Sequence, residues 1–247
     1  MLTIDLNCDM GEGIGHDDAI MPFISSANIA CGYHAGDEDT MRKTVESAIK
    51  NNVAIGAHPS FFDKKNFGRT DMNLPGDKIY DLVLLQLRTI DKIIKDTEAK
   101  LHHVKPHGAL YNMSAKNSRI AQAVAQAVKD FDEDLILFGL SGSVSTSVAH
   151  ELGLKTASEV FADRTYQDDG SLTPRSQAGA LVEDEENLLQ QLLQMIKVKT
   201  VTTVTGKRIP IVADTVCIHG DGKHAFQFAK TINQHLSLNG IEIKSLF

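Results

Sequence analysis

The stretch HHVKPHGALYN, residues 102–112, places three histidines and one lysine around a Lys-Pro-His-Gly turn, and an apolar run resumes directly after it. Five other stretches share this arrangement: a short apolar run, then a cluster of titratable side chains with Gly or Pro. They are DLNCDMGE (5–12), NIACGYHAGD (28–37), GAHPSFFD (56–63), SEVFADRTY (158–166) and CIHGDGKHA (217–225). The repetition indicates that the six stretches occupy equivalent positions in one fold.

The apolar runs are short and bounded by Gly, Pro or polar residues, as buried parallel strands are. They cover residues 2–7, 27–31, 53–57, 102–106, 135–140, 155–161 and 215–220. Between them, apolar residues recur at three- and four-residue steps, as in Ile79, Val83 and Leu87, which predicts amphipathic helices. Seven or eight strand–helix units favour a TIM-barrel-like (β/α)7–8 parallel barrel over an open doubly wound sheet.

The same reading predicts one α/β domain over residues 1–247. No G-x-G-x-x-G follows the first strand, which disfavours a dinucleotide-binding fold. Residues 198–214 break the alternation and predict a β-hairpin around Thr205-Gly206, inserted before the last core strand.

Composition narrows the function classes. The net charge of −7 disfavours a general nucleic-acid or anionic-membrane surface. No apolar run approaches the roughly 20 residues of a membrane span, and no secretory signal is visible. Cys8, Cys31 and Cys217 form no disulfide framework, so we expect buried, inert thiols and a cytoplasmic protein.

The clusters of titratable residues predict a functional site. In parallel α/β folds, the loops after the carboxyl ends of the strands share one face, and sites are built there. Each cluster follows a predicted strand, so its side chains should converge on that face. The residues expected there are Asp9, Glu12, His34, Asp37, His58, Lys105, His107, Glu159, Asp163, Arg164, His219 and Asp221.

At these motifs the sequence resembles the LamB/YcsF family, the A subunit of the prokaryotic 5-oxoprolinase. The stretches that carry the resemblance run in the same order from Asp5 to Asp221. They are DLNCDMGEGIG, SANIACGYHAGD, GAHPSFFD, FGR (67–69), HHVKPHGALYN, EVFADRTY, GSLTPR (170–175) and CIHGD. One loop departs from the family pattern, which is closer to Gly-Phe-Gly-Arg-Arg; this chain has NFGRT at residues 66–70, which retains Arg69.

The resemblance implies a barrel-like α/β fold similar to that of certain sugar hydrolases and deacetylases. It implies ATP-dependent opening of 5-oxo-L-proline to L-glutamate together with two partner subunits, B and C. The chain has no G-x-x-x-x-G-K-[ST] phosphate loop, so we expect the partners to bind most of the ATP co-substrate.

This reaction suggests roles for the clustered residues. Acid or base candidates are Asp9, Glu12 and Glu159, whereas His34 and His58 would orient water or the lactam. Lys105 and His107 would stabilise charge on the lactam oxygen or its phosphate. Substrate-binding candidates are Arg69, Asp163, Arg164, His219 and Asp221, among which a guanidinium can hold a carboxylate through two parallel bonds. The sequence does not distinguish base from electrophile.

Two alternatives stay open. Asp9, His34 and His58, which His107 and His219 could join, offer the ligand types of a zinc or related divalent-metal site that activates water. A stand-alone metal-dependent amidase or deacetylase would turn over without ATP. A non-catalytic regulatory subunit is the other alternative, although the dense titratable groups disfavour it.

Overall fold

Strands and helices alternate along the chain in the computed structural model, which describes residues 2–14, 16–218 and 225–246. The seven strands of the central sheet, labelled β1–β6 and β9 in chain order, are Leu2–Met10, Ser26–Ala30, Ala54–His58, Leu101–Val104, Ile136–Leu140, Lys155–Phe161 and Thr215–Ile218. The three other strands are Thr200–Thr202 (β7), Arg208–Pro210 (β8) and Ile241–Ile243 (β10).

The seven central strands form a closed parallel barrel. Each strand pairs with the next, β6 pairs with β9, and β9 returns to β1 through Asp5↔Thr215 and Asn7↔Cys217. Strand β10 lies outside the ring and pairs with the first residues of β1, Leu2↔Ile241. The predicted TIM-like barrel is therefore confirmed, with seven strands in the ring.

Eight α-helices connect the strands within the described residues. Labelled α1–α8, they are Asp17–Ile20, Glu38–Lys50, Gly76–Ile94, Gly108–Ser114, Ser118–Phe131, Val144–Glu151, Glu185–Leu193 and Ala225–Leu238. Helix α3 buries its stripe of Ile79, Val83 and Leu87 against the barrel, as the spacing predicts. None of the described helices is long and apolar enough to span a membrane.

Strands β7 and β8 pair antiparallel, Val201↔Ile209, within residues 198–214, where the sequence predicts a hairpin. Gly206 sits in the turn with φ +84°, a conformation that glycine adopts without steric cost.

The strands have two different faces. On β1, Ile4, Leu6 and Cys8 point outward into the large apolar core beneath the helices. The alternate residues Asp5 and Asn7 are also fully buried, but they point into the barrel and make hydrogen bonds to Thr215 of β9 and Glu159 of β6. The barrel interior is therefore polar toward its carboxyl end. Nearer the amino end, a small apolar cluster fills it with Ile136, Phe138 and Ala157.

Candidate active site

The strands bring the sequence motifs together at the carboxyl end of the barrel. Asp9 lies near the end of β1, His58 is the last residue of β3, and Lys105 follows β4 directly. Glu159 comes from β6, which is two strands away from both β1 and β4 in the ring. Residues separated by up to 150 positions in sequence are therefore side-chain neighbours here.

Lys105 is the centre of this arrangement. Its Nζ lies 2.8 Å from Asp9 Oδ1 and 2.9 Å from Glu159 Oε1, so one ammonium bridges two carboxylates. It also lies 3.0 Å from the Cys217 sulfur and 3.3 Å from Asn7 Oδ1. Lys105 is 3% exposed and Glu159 is fully buried, so little water screens these charges.

The environment fixes the charge of Lys105. Burial by itself would lower the pKa of the ammonium, but the carboxylates of Asp9 and Glu159 outweigh it and raise the pKa well above its usual value. Lys105 is therefore a permanent cation and not a proton acceptor. Burial likewise raises the pKa of the Cys217 thiol well above its usual value, although Lys105 opposes the shift, so Cys217 stays a neutral thiol.

A second cluster contains three histidines and one glutamate. His34 stacks on His107 with ring centroids 4.0 Å apart, and His107 Nδ1 lies 2.9 Å from His58 Nε2. Glu12 Oε1 lies 3.5 Å from both His34 Nε2 and His107 Nδ1. His58 joins this cluster to the lysine centre, because its Nε2 is 3.4 Å from Asp9 Oδ2.

Hydrogen-bond partners identify the protonated nitrogens of two of these rings. His58 Nδ1 lies 2.7 Å from the Lys105 carbonyl oxygen, and His107 Nε2 lies 2.9 Å from that of Phe67. A carbonyl only accepts, so both nitrogens donate. If both rings are neutral, His58 Nε2 and His107 Nδ1, which face each other, both carry lone pairs. The 2.9 Å contact therefore requires one additional proton or a cation bound by both rings.

Burial disfavours an additional proton on His107 and on His34. It lowers the pKa of His107 to about 3, an effect to which the neighbouring His58 adds. The pKa of His34 is lowered further, again mainly by burial.

Two glycines allow the surrounding loops to approach. Gly68, in the FGR motif, has φ +65°, and a Cβ there would lie 2.2 Å from Ser60 Oγ. Gly108 has φ +56°, and a Cβ would lie 2.5 Å from the Gly68 carbonyl oxygen. The loop after β3 and the turn after β4 thus pack directly on each other beside His107.

A cavity of about 600 Å³ opens onto the lysine centre. Asp9, His58, Lys105 and His107 line its inner part. Five other charged residues line the cavity, and Asp71 is the acidic one. The four cations come from different loops and turns. These are Arg69, Lys116, Arg164 and Arg175.

Comparison with known proteins confirms the family resemblance of the sequence. The family model described as LamB/YcsF matches residues 4–247. The chain belongs to the LamB/YcsF family.

Relatives of this LamB/YcsF chain match it over its full length. It is 51% identical to a Tolumonas auensis protein over 251 residues, covering 100% of both chains. It is 50% identical to a Brevibacillus brevis protein, covering 100% of this chain and 99% of that one. Both relatives are named as the A subunit of 5-oxoprolinase.

Solved structures match the LamB/YcsF chain as well. The lactam utilization protein from Thermus thermophilus has a TM-score of 0.94 and 38% identity, covering 99% of this chain and 100% of that one. A family 4 carbohydrate esterase from Streptomyces lividans has a TM-score of 0.53 and 10% identity, covering 99% of this chain and 93% of that one. The second likeness concerns the fold alone.

The structure separates the sequence-predicted residues of the LamB/YcsF chain into groups. Arg69 and Arg164 line the cavity, whereas Asp163 is not among the lining residues. Asp37 instead begins helix α2, where its carboxylate accepts from the Thr40 backbone N–H. Glu12, His34 and Glu159 lie behind the cavity wall. His219 and Asp221 lie outside the described residues.

Sequence reasoning missed the polar side chains inside the barrel. Asn7, Asn28 and Thr215 are fully buried. Asn28 and Asn7 connect the Asp9 carboxylate to that of Glu159, and Thr215 connects Asn7 to Asp5. A usable signal exists in β1, where Asp5, Asn7 and Asp9 alternate with apolar residues and so share one face. Lys116 and Arg175 were missed because they lie in loops whose positions the periodicity of the strands does not determine.

The second cluster fits a divalent cation. Glu12, His34, His58 and His107 each offer one ligand atom, and these atoms lie within 4.8 Å of one another. Neither ring nitrogen of His34 has a hydrogen-bond partner among the described residues. Imidazole and carboxylate ligands suit zinc and related ions. The sequence-based candidate Asp9 is not one of these four residues; its Oδ1 accepts from Lys105 and Asn28.

Proposed function

We propose that this protein is the A subunit of an ATP-dependent 5-oxoprolinase, which opens the lactam of 5-oxo-L-proline to give L-glutamate. The observation that supports it most is the cavity, where an ammonium bridged by two carboxylates faces a wall of arginines and lysine. The names of the full-length relatives support the same reaction.

Lys105 acts in this proposal as a fixed positive charge. An ammonium has three hydrogens, and four acceptors already lie within 3.3 Å of Nζ. A substrate oxygen must therefore displace one of them, and the Cys217 thiol is the weakest acceptor. Exchange of the thiol for the lactam oxygen would direct a permanent cation at the atom on which negative charge develops.

Asp9 and His58 are the proposed base for water. Lys105 and Asn28 occupy Asp9 Oδ1, whereas Oδ2 points toward His58 Nε2, and both residues line the cavity. The His58 ring is oriented by its bond to the Lys105 carbonyl oxygen. A carboxylate and an imidazole next to the bound lactam can take a proton from attacking water.

The cationic wall suits an anionic substrate. Arg164 donates to the carbonyl oxygens of Ala180 and Thr173, which fixes its guanidinium in the cavity wall. Burial lowers the pKa of Arg164, and the positive charge of Arg175 lowers it further, so an anion that binds both is favoured. The 5-oxoproline carboxylate and the phosphate of an activated lactam are the two anions this reaction supplies.

ATP is the proposed co-substrate, bound mainly by partner subunits B and C. An unstrained amide resists water, and phosphorylation of the lactam oxygen activates the carbon that water attacks. This chain then receives the activated lactam in its cavity, in the cytoplasm.

The test measures glutamate release from 5-oxoproline by this chain alone and with subunits B and C, each with and without ATP and a chelator. We expect release only from the complete mixture with ATP. Lys105→Ala and His58→Ala should abolish it, and Lys155→Ala, an exposed lysine, should not. Full activity of B and C without this chain would make it a regulatory subunit.

A metal-dependent amidase or deacetylase is the second candidate, favoured by the facing lone pairs of His58 and His107. Glu12, His34, His58 and His107 would hold the ion. A bound divalent ion lowers the pKa of water and polarises carbonyls. Elemental analysis and calorimetric titration with zinc test the site, with His34→Gln as the variant and exposed His150→Gln as its control. Amide hydrolysis by the chain alone, stopped by a chelator, would replace the first proposal.

A further inference from the structure

The polar groups inside the barrel form a chain of hydrogen bonds whose direction can be derived from the lysine centre. The Lys105 ammonium only donates, so the Asn7 atom 3.3 Å from it is the carbonyl oxygen Oδ1. The Asn7 amide nitrogen then points to Glu159 Oε1 at 3.0 Å and to Thr215 Oγ1 at 2.7 Å. Both contacts are consistent with this orientation, because carboxylate and hydroxyl oxygens accept.

The orientation of Asn28 follows. Its Nδ2 donates to Asn7 Oδ1 at 2.7 Å and to Asp9 Oδ1 at 2.9 Å. The flipped amide would set its oxygen against two acceptors in a fully buried site, which costs both hydrogen bonds. Asn28 Oδ1 therefore faces His103 Nε2, 2.8 Å away, and this nitrogen must carry a hydrogen.

The next two rings determine the far end of the chain. Burial lowers the pKa of His103 well below its usual value, and the positive charge of Lys105 adds to the effect. His103 is therefore neutral, and its Nδ1 carries a lone pair toward His102 Nδ1, 3.1 Å away. His102 Nε2 lies 2.7 Å from the Leu246 carbonyl oxygen. Both nitrogens of His102 face acceptors.

We infer that Asn28 and His103 are positioning residues for the Asp9–Lys105 pair, and that the chain they form ends on a doubly protonated, positively charged His102 bound to the Leu246 carbonyl. The roles proposed above do not include this chain of hydrogen bonds, which begins at Asp9 and runs toward the amino end of the barrel. The effect on activity rests on the proposed function, whereas the protonation pattern does not.

An independent feature holds the His103 ring in place. Phe138 stacks on it with a centroid distance of 4.2 Å and an interplanar angle of 11°. On β3, a Cβ at Gly56 would lie 2.0 Å from His103 Nε2, so only glycine leaves room for the ring. The barrel interior is thus shaped around this histidine.

Several charged groups face His102 and set its surroundings. His103 and the buried Asp5 lie on the barrel side, where His102 acts on Asp5 electrostatically. The cavity at the amino end, which His102 also lines, contains both acidic and basic groups. They are Asp91, Lys95, Glu98, Lys100, Asp132, Asp134 and Lys155. This mixed environment tolerates a cation at His102.

Nitrogen-15 NMR of histidine ring nitrogens tests the protonation pattern directly. At the pH of the activity measurement, His102 should show two protonated nitrogens and His103 only a protonated Nε2. The single substitutions His102→Gln and His103→Gln, each of which removes one histidine, assign the signals. A neutral His102, or a doubly protonated His103, would overturn the inference.

Kinetics of the complete mixture test the positioning role. His103→Leu, which cannot donate to Asn28, should lower kcat roughly 10- to 100-fold with little change in KM. His103→Gln retains a donor and should recover part of the loss, while Gly56→Ala should reproduce it by displacing the ring. His150→Gln is the control. Equal kcat values for folded His103→Leu and the parent protein would remove the positioning role, whereas inactivity of every preparation would refute the proposed reaction and leave the NMR result standing.

Discussion

The barrel strands bury two surfaces of different chemistry, as adjacent residues of β1 demonstrate. Leu6 packs outward among apolar side chains, and the neighbouring Asn7 points inward to Glu159 and Thr215. Both side chains are fully buried. The outer surface contributes stability through removal of apolar area from water. The inner surface stabilises little by itself, but its hydrogen bonds determine where the charges of the site lie.

The largest expected effect comes from removing the central cation. Lys105→Met removes the cation that bridges the buried Asp9 and Glu159 carboxylates, which should reduce the free energy of unfolding by about 3–5 kcal/mol. Urea denaturation measures it. Lys155→Met, which breaks the exposed pair with Asp134, is the matched control and should cost less than about 1 kcal/mol. Similar losses in the two variants would contradict the contrast between inner and outer charges.

Adjacent substitutions in β1 separate the two surfaces. Leu6→Ala should cost about 2–5 kcal/mol by opening a cavity in the outer core, with kcat of the folded protein unchanged. Asn7→Ala should cost about 1–3 kcal/mol through buried polar groups left without partners, and should also lower kcat. Denaturation and glutamate release are measured on both variants. A loss of kcat in Leu6→Ala alone would reverse the assignment of faces.

Lowering the pH should reduce the stability of the protein through a histidine on the inner surface of the barrel. The pKa of His103 is lowered in the folded protein, mainly by burial, so below its usual value of 6.5 the unfolded chain binds more protons than the folded one. Stability should therefore fall as the pH decreases below about 6.5. His103→Gln should flatten this part of the curve of unfolding free energy against pH, and exposed His150→Gln should leave its slope unchanged. An unaltered slope in His103→Gln would contradict the buried neutral ring.

The smallest expected difference in activity is between variants of two cysteines, one on each surface. Cys217 contacts the Lys105 ammonium at 3.0 Å, whereas Cys8 belongs to the outer core. Cys217→Ala removes the acceptor that the lactam oxygen has to displace, so it should strengthen transition-state binding by roughly 0.5–1.5 kcal/mol, the value of one hydrogen bond. Cys217→Ser retains a polar partner for Lys105, and Cys8→Ala should leave kcat/KM unchanged. A lower kcat/KM for Cys217→Ala would contradict the exchange of the thiol for the lactam oxygen.

The barrel could be predicted from the sequence because short apolar runs and helical stripes alternate throughout the chain. The carboxyl-end location of Asp9, His58 and Lys105 followed from the same parallel order. The polar interior could not be derived, since the direction in which an alternate residue points depends on how the ring closes. Asn28 and His103 have no distinctive spacing, and their role becomes visible only when β2 and β4 lie on either side of β3 in the closed ring.

Individual contacts were harder to predict than positions. Asp163 and Arg164 are adjacent in sequence, yet only Arg164 lines the cavity. The four candidate cation ligands include Glu12 and not Asp9, whose Oδ1 accepts from Lys105 and Asn28. Such outcomes depend on competition among neighbouring side chains, which a linear pattern does not express.

The late position of β9 in the chain also affects synthesis on the ribosome. β1 is made long before β9, but its inner residues Asp5 and Asn7 bond to Thr215, more than 200 positions later. Until β9 emerges, one edge of β1 exposes unpaired backbone groups, which are a template for wrong pairing. The nascent chain should therefore be most prone to misassembly before β9 emerges.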